Sequence, residues 1–143
     1  MRYNIYEILD EFKMAEDDFE RIDILRRHES QTFREVLTLA LNETIKTIDL
    51  DYDHLDYKAE EVPPGLSVSN MDMEFRMVYL FIEGHPKAAP TLTDKRRREI
   101  LVQIMEALEP KEAEVYRNML KKDLGVPGLT KELVKEAFPD IPL

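Results

Sequence analysis

None of the first 64 residues is glycine, and across that stretch apolar residues return at three- and four-residue intervals. A chain without glycine has few left-handed turns, so this half is predicted to be helices joined by short connections. Ile5, Ile8, Leu9 and Phe12 stand at i, i+3, i+4 and i+7, with Asn4 placed as an N-cap. Asp17 opens a second segment whose stripe is Phe19, Ile22 and Leu25. It ends on Arg26, Arg27 and His28, cations that suit a helix C-terminus. Ser30 is placed to cap a third helix through Phe33, Val36, Leu37, Ala40 and Leu41, running on toward Ile45 or Ile48.

The pattern breaks from Asp49 to Asn70, where an acidic stretch leads into Pro63-Pro64-Gly65. Residues 49–70 are therefore predicted to be one long connection, with a short helical turn near His54 to Tyr57. Helix is predicted again over Met71 to Glu83, with Phe75, Val78, Tyr79 and Ile82 on one face, stopped by Gly84-His85-Pro86. Thr93 caps a helix through Ile100, Leu101, Ile104, Met105 and Leu108, and Pro110 starts the next, with Val115, Met119 and Leu120. After Gly125, Thr130 caps a last helix with Leu133, Val134, Ala137 and Phe138. Six or seven short amphipathic helices and no convincing strand make an all-α, single-domain bundle over residues 1–143.

Composition narrows the function classes. The chain has no cysteine, which excludes a disulfide scaffold, a zinc knuckle and a thiol nucleophile. It shows neither an apolar run of membrane-spanning length nor a signal-peptide pattern, so a cytoplasmic location without a membrane partner is expected. The formal charge of −10 argues against coating nucleic acid through bulk charge. That charge is unevenly divided. Residues 1–84 hold 9 basic and 20 acidic side chains, a net of −11, whereas residues 85–143 hold 11 basic and 10 acidic, a net of +1. The second part can approach a polyanion without strong repulsion.

Val115-Tyr116-Arg117-Asn118-Met119-Leu120-Lys121-Lys122-Asp123-Leu124-Gly125, then Leu129-Thr130-Lys131 and Phe138-Pro139-Asp140-Ile141-Pro142, resembles the end of a known domain. It is similar to the N-terminal DNA-binding domain of tailed-phage ATP-dependent DNA ligases. Tyr6-Glu7-Ile8-Leu9 and Leu92-Thr93-Asp94 resemble helix starts of the same domain. The resemblance implies a helical bundle lying across the minor groove without reading sequence, with loop and helix-start amides set against phosphates. It places Lys122 at the family's basic position, Gly125, Gly128, Leu129 and Thr130 in the loop entering the last helix, and Lys131 beside it. The ligase lysyl-adenylate motif Lys-x-Asp-Gly has only a near-match at Lys121 to Gly125, with the glycine one residue late. No catalysis is expected.

Three further constellations carry candidate chemistry. Asp49, Asp51, Asp53 and Glu60 fall at positions 1, 3, 5 and 12 of a calcium-loop template, but His54 takes the glycine position. The same loop also suits docking of a basic partner. Lys95, Arg96, Arg97 and Arg98 form the one basic run and, with Lys87, Lys121, Lys122 and Lys131, a candidate phosphate-contacting patch. His28, His54 and His85 have no metal-ligand spacing, and no cofactor motif occurs. The expectation is a non-catalytic accessory module, without cofactor, that binds duplex DNA weakly or docks on a DNA-bound phage or host protein. The alternative is an acidic protein-interaction module, by host-factor binding, DNA-charge mimicry or a place in a virion.

Overall fold

The computed structural model describes residues 3–59, 63 and 66–143. Its α-helices are α1 (Ile5–Lys13), α2 (Asp18–Arg27), α3 (Gln31–Leu41), α4 (Met71–Glu74), α5 (Asp94–Ala107), α6 (Pro110–Leu120) and α7 (Lys131–Ala137). Short polar side chains set most of the starts. Asp17, Ser30, Asn70, Thr93 and Thr130 each accept the amide three residues on, at 2.8 to 3.2 Å, to open α2, α3, α4, α5 and α7. Each such cap stabilises its helix by about 1 kcal/mol. Among the described residues there is no strand, only an isolated bridge between Thr47 and Ile82.

α6 is the central helix. Ala113, Val115, Tyr116, Met119 and Leu120 are all buried, so one broad side of the helix faces protein. It packs on α1, α3 and α5, while α2 packs on α1 and α7. Phe12, Phe33, Phe81, Leu101 and Met105 complete a core in which each large side chain contributes about 2–3 kcal/mol by leaving water. Tyr116 is fully buried, and its hydroxyl donates to the Glu74 carbonyl at 3.0 Å, closing the end of α4.

Four local expectations need correction. Phe19 does not belong to the buried stripe of α2, which is Ile24 and Leu25; Phe19 is 85% exposed. At about 100° per residue, five and six positions turn Phe19 roughly 120–140° away from those two. α3 ends at Leu41 rather than continuing to Ile45 or Ile48. Asn42 turns extended there, and its Oδ1 accepts the Thr44 amide at 2.9 Å, a local bond that competes with further helix. The segment predicted as one helix over Met71 to Glu83 tightens after α4 into a 3₁₀ segment, Phe75–Phe81. In that geometry residues three apart eclipse, so Val78 and Phe81 are buried and Phe75 half-buried in line, while Tyr79 and Ile82 are only half-buried. The helical turn in the long connection lies at Tyr52–His54, slightly earlier than predicted.

Candidate functional site

Several cations of the C-terminal part are held by the protein itself. Lys122 takes left-handed backbone (φ 65°) just after α6. Its ammonium donates to the carbonyls of Leu39, Asn42 (2.7 Å) and Ile45 (2.8 Å). They lie in the last turn of α3, at its C-cap and in the loop that follows, so a cation from beyond α6 serves the end of α3 as a C-cap would. Burial of the ammonium lowers its pKa, with Lys46 adding to the effect. The resemblance implied an outward, phosphate-contacting residue here; the side chain instead points into the fold.

The basic run on α5 divides in the same way. Arg97 donates to the carbonyls of Leu80 (2.9 Å) and Leu92 (3.0 Å) and pairs with Asp94. Arg98 donates to the carbonyls of Leu50, Asp51 and His54 and so ties down the acidic connection. Lys95 and Arg96 remain exposed, and Arg96 pairs with Glu99 at 3.1 Å. Lys121 pairs with Asp53 at 2.5 Å, and Lys131 approaches Glu43 at 3.9 Å.

The loop before α7 is equally self-directed. Gly125 and Gly128 both have positive φ, 67° and 84°. The close approach that Gly128 permits is to Arg21: an added Cβ would stand 3.2 Å from its Nε. Thr130 uses its hydroxyl on the Leu133 amide. Lys95 to Arg98 and Lys121 to Lys131 therefore supply few unengaged donors for phosphate.

The acidic connection is folded by its own contacts. Asp49 accepts the Asp51 amide at 3.1 Å, Asp51 meets His54 Nδ1 at 2.7 Å, and Asp53 holds Lys121. The hydrogen bond from Lys121 keeps the Asp53 carboxyl below the ordinary range, and the one that His54 makes to the Asp51 carboxylate raises the imidazole. Glu60 lies outside the described residues. Among the described residues no group of three or more acidic, histidine or cysteine side chains converges as metal ligands, so Asp49, Asp51 and Asp53 are not brought together as a cation site.

Two arrangements were not legible as sites. The first is buried. Glu112 is 3% exposed, and its two oxygens accept the amides of Ile5 (3.0 Å) and Tyr6 (2.9 Å), the unpaired donors at the start of α1. Burial raises its pKa to about 7 against the opposing pull of those amides. Glu109 beside it accepts the Tyr6 hydroxyl at 2.9 Å, and burial together with that carboxylate lifts the phenol to about 12. On the helical pattern Glu112 reads as a surface residue; only the position of α1 explains it.

The second lies at the corner between α1 and α2. Met14 is 82% and Phe19 85% exposed, five residues apart in sequence, and both flank exposed Glu16, Asp17, Asp18 and Glu20. Asp18 pairs with Arg21 at 2.7 Å, while Glu16, Asp17 and Glu20 have no cation partner among the described residues. Two large exposed apolar side chains beside carboxylates, three of them without a cation partner among the described residues, form a surface suited to an apolar anchor carried on a basic segment.

In comparison with known proteins, the model of a family of unknown function (DUF6433) matches residues 8–126. No curated protein and no solved structure matches the chain.

Proposed function

The chain belongs to the family of unknown function DUF6433, and we propose from its geometry that it is a non-catalytic, acidic protein-interaction module. Its partner is a protein segment bearing lysine or arginine around an aromatic or aliphatic anchor, docked at the corner of Met14 and Phe19. One observation carries this: Phe19, 85% exposed, stands beside Glu16, Asp17 and Glu20, which have no cation partner among the described residues. The engagement of Arg97, Arg98 and Lys122 on backbone carbonyls supports it from the other side. Affinity for duplex DNA comes mainly from cations that release counterions. A cation already donating to three carbonyls has little left to offer and a large cost to move.

Weak duplex binding in a replication, repair or packaging complex is the second reading, favoured by exposed Lys95 and Arg96 at the start of α5. The two separate in one assay. A fluorescent lysine-rich peptide with a single phenylalanine is titrated with the chain at low salt, then competed with unlabelled duplex. Binding that weakens about tenfold in Phe19→Ser, and that duplex does not displace, supports protein docking. Duplex binding that is lost in Lys95→Gln/Arg96→Gln, with no peptide binding, overturns it.

A further inference from the structure

A cleft of about 400 Å³ runs between α3, the 3₁₀ segment and the C-terminal residues. Its volume is within the range of sites that enclose a ligand. Leu39, Ile45, Phe75, Val78, Ile82 and Ile141 form an apolar floor. Ile45, Phe75 and Ile82 are only half-buried, because nothing among the described residues covers them. The cleft is preformed: Asn42 Nδ2 donates to the Pro142 carbonyl at 2.8 Å and fixes the C-terminal wall.

The rim decides what fits. Sites for small polar molecules have a few converging groups with free hydrogen-bonding capacity. Here those groups are spent on one another. Gln31 donates to Glu35 at 2.9 Å, Thr38 donates to the Arg34 carbonyl at 2.8 Å, and Arg34 is shared between Glu29 (2.7 Å) and Asp140 (2.9 Å). Arg34 is thus outweighed by its two carboxylates, and Glu35 adds a further negative charge without a cation partner among the described residues. Apolar contact is what the floor offers, and positive charge is what the rim attracts. Gln31, Glu35 and Thr38 follow one another along the exposed side of α3, so the opening is elongated parallel to a helix.

From this juxtaposition we infer that the cleft is a second docking site, separate from the Met14–Phe19 corner, for an amphipathic helix of a partner protein. Two aliphatic side chains one turn apart enter the floor, and lysines beside them meet Glu35 and the Glu29–Asp140 side of the rim. Recognition of a helix in a groove through i and i+4 anchors is the general mode.

The test uses the intact chain with methyl-labelled Ile and Val and a synthetic helical peptide of lysine and alanine carrying two leucines one turn apart. Shifts confined to Ile45, Val78, Ile82 and Ile141, and absent with a lysine–alanine peptide lacking the leucines, are the expected result. Thr38→Trp, which fills the mouth, is expected to weaken binding about tenfold, and Glu35→Lys to weaken it severalfold at low salt and much less at high salt. Both variants are checked for unchanged thermal unfolding. If the variants bind as the parent does, or the leucine-free peptide gives the same shifts, the cleft proposal is overturned. Should binding instead be lost only in Phe19→Ser, the corner stands and the cleft falls; loss in Thr38→Trp alone gives the converse.

Discussion

In residues 1–84 the carboxylates of Glu7, Asp10, Glu16 and Asp49 face solvent, while in residues 85–143 the cations of Arg97, Arg98 and Lys122 end on backbone carbonyls. The two parts differ less in how much charge they hold than in where it goes. Helices that end inside a bundle leave acceptor carbonyls that water reaches poorly, and a long cationic side chain from a neighbouring helix satisfies several at once. Arg26 does this for α7 as well, donating to the carbonyls of Glu136 (2.9 Å) and Ala137 (3.1 Å). The net of +1 in the second part therefore overstates the positive charge a ligand meets. The −11 of the first part is closer to what a partner meets.

The sharpest way to break this contrast is to remove an inward cation. Lys122→Met removes the ammonium from the Leu39, Asn42 and Ile45 carbonyls, and hydrogen bonds to a charged group are the stronger kind. A loss of about 4 kcal/mol is expected in urea unfolding, with the slope unchanged. Lys122→Gly is expected to recover about 1 kcal/mol of that, because glycine relaxes the left-handed backbone. A Lys122→Met change as mild as a surface substitution would end the contrast.

Glu112 sharpens it from within, as the acid of the C-terminal part that is turned inward. Its folded pKa of about 7 lies above the ordinary value of 4.5, so the folded state binds the proton more tightly than the unfolded state does. Its contribution is fully present below pH 4.5 and is lost as pH rises through about 7. The shift corresponds to about 3 kcal/mol. Measured over that window, stability of the parent is expected to fall with rising pH relative to Glu112→Gln, whose curve lacks this component. Parallel curves would mean that Glu112 titrates as an exposed carboxyl.

The smallest effect is expected in the acidic part. Glu16→Gln removes an exposed charge without a cation partner among the described residues, so stability is expected to change by less than about 0.5 kcal/mol in thermal unfolding. Peptide affinity at the α1–α2 corner is expected to fall severalfold at low salt. A large stability loss with unchanged affinity would reverse the roles assigned to the two parts.

Local chemistry made much of the fold legible. Asp17, Ser30, Thr93 and Thr130 are short acceptors directly ahead of apolar repeats, and Pro110 fixes the first turn of α6. Such signals act over three or four residues, and so does sequence reading. Phe19 was misplaced because a three-residue repeat at the edge of a stripe drifts off the buried face within two turns. The direction of Lys122 depends on α3 ending 83 residues earlier against Leu39, and Glu112 on amides 106 and 107 residues away. Neither leaves a trace in nearby residues. The basic run was visible, but which of its members face outward was set by the carbonyls of Leu80 and Leu50 on other segments.

Lysine modification of the folded chain tests the central contrast most directly. Under brief reductive methylation read by mass spectrometry, Lys95, exposed and without an ion-pair partner among the described residues, is expected to react rapidly. Lys122, with its ammonium held by three carbonyls, is expected to stay unmodified until the chain is unfolded. Equal reaction of Lys122 and Lys95 in the folded chain would contradict the account and return Lys122 to the surface, where it would be available to DNA.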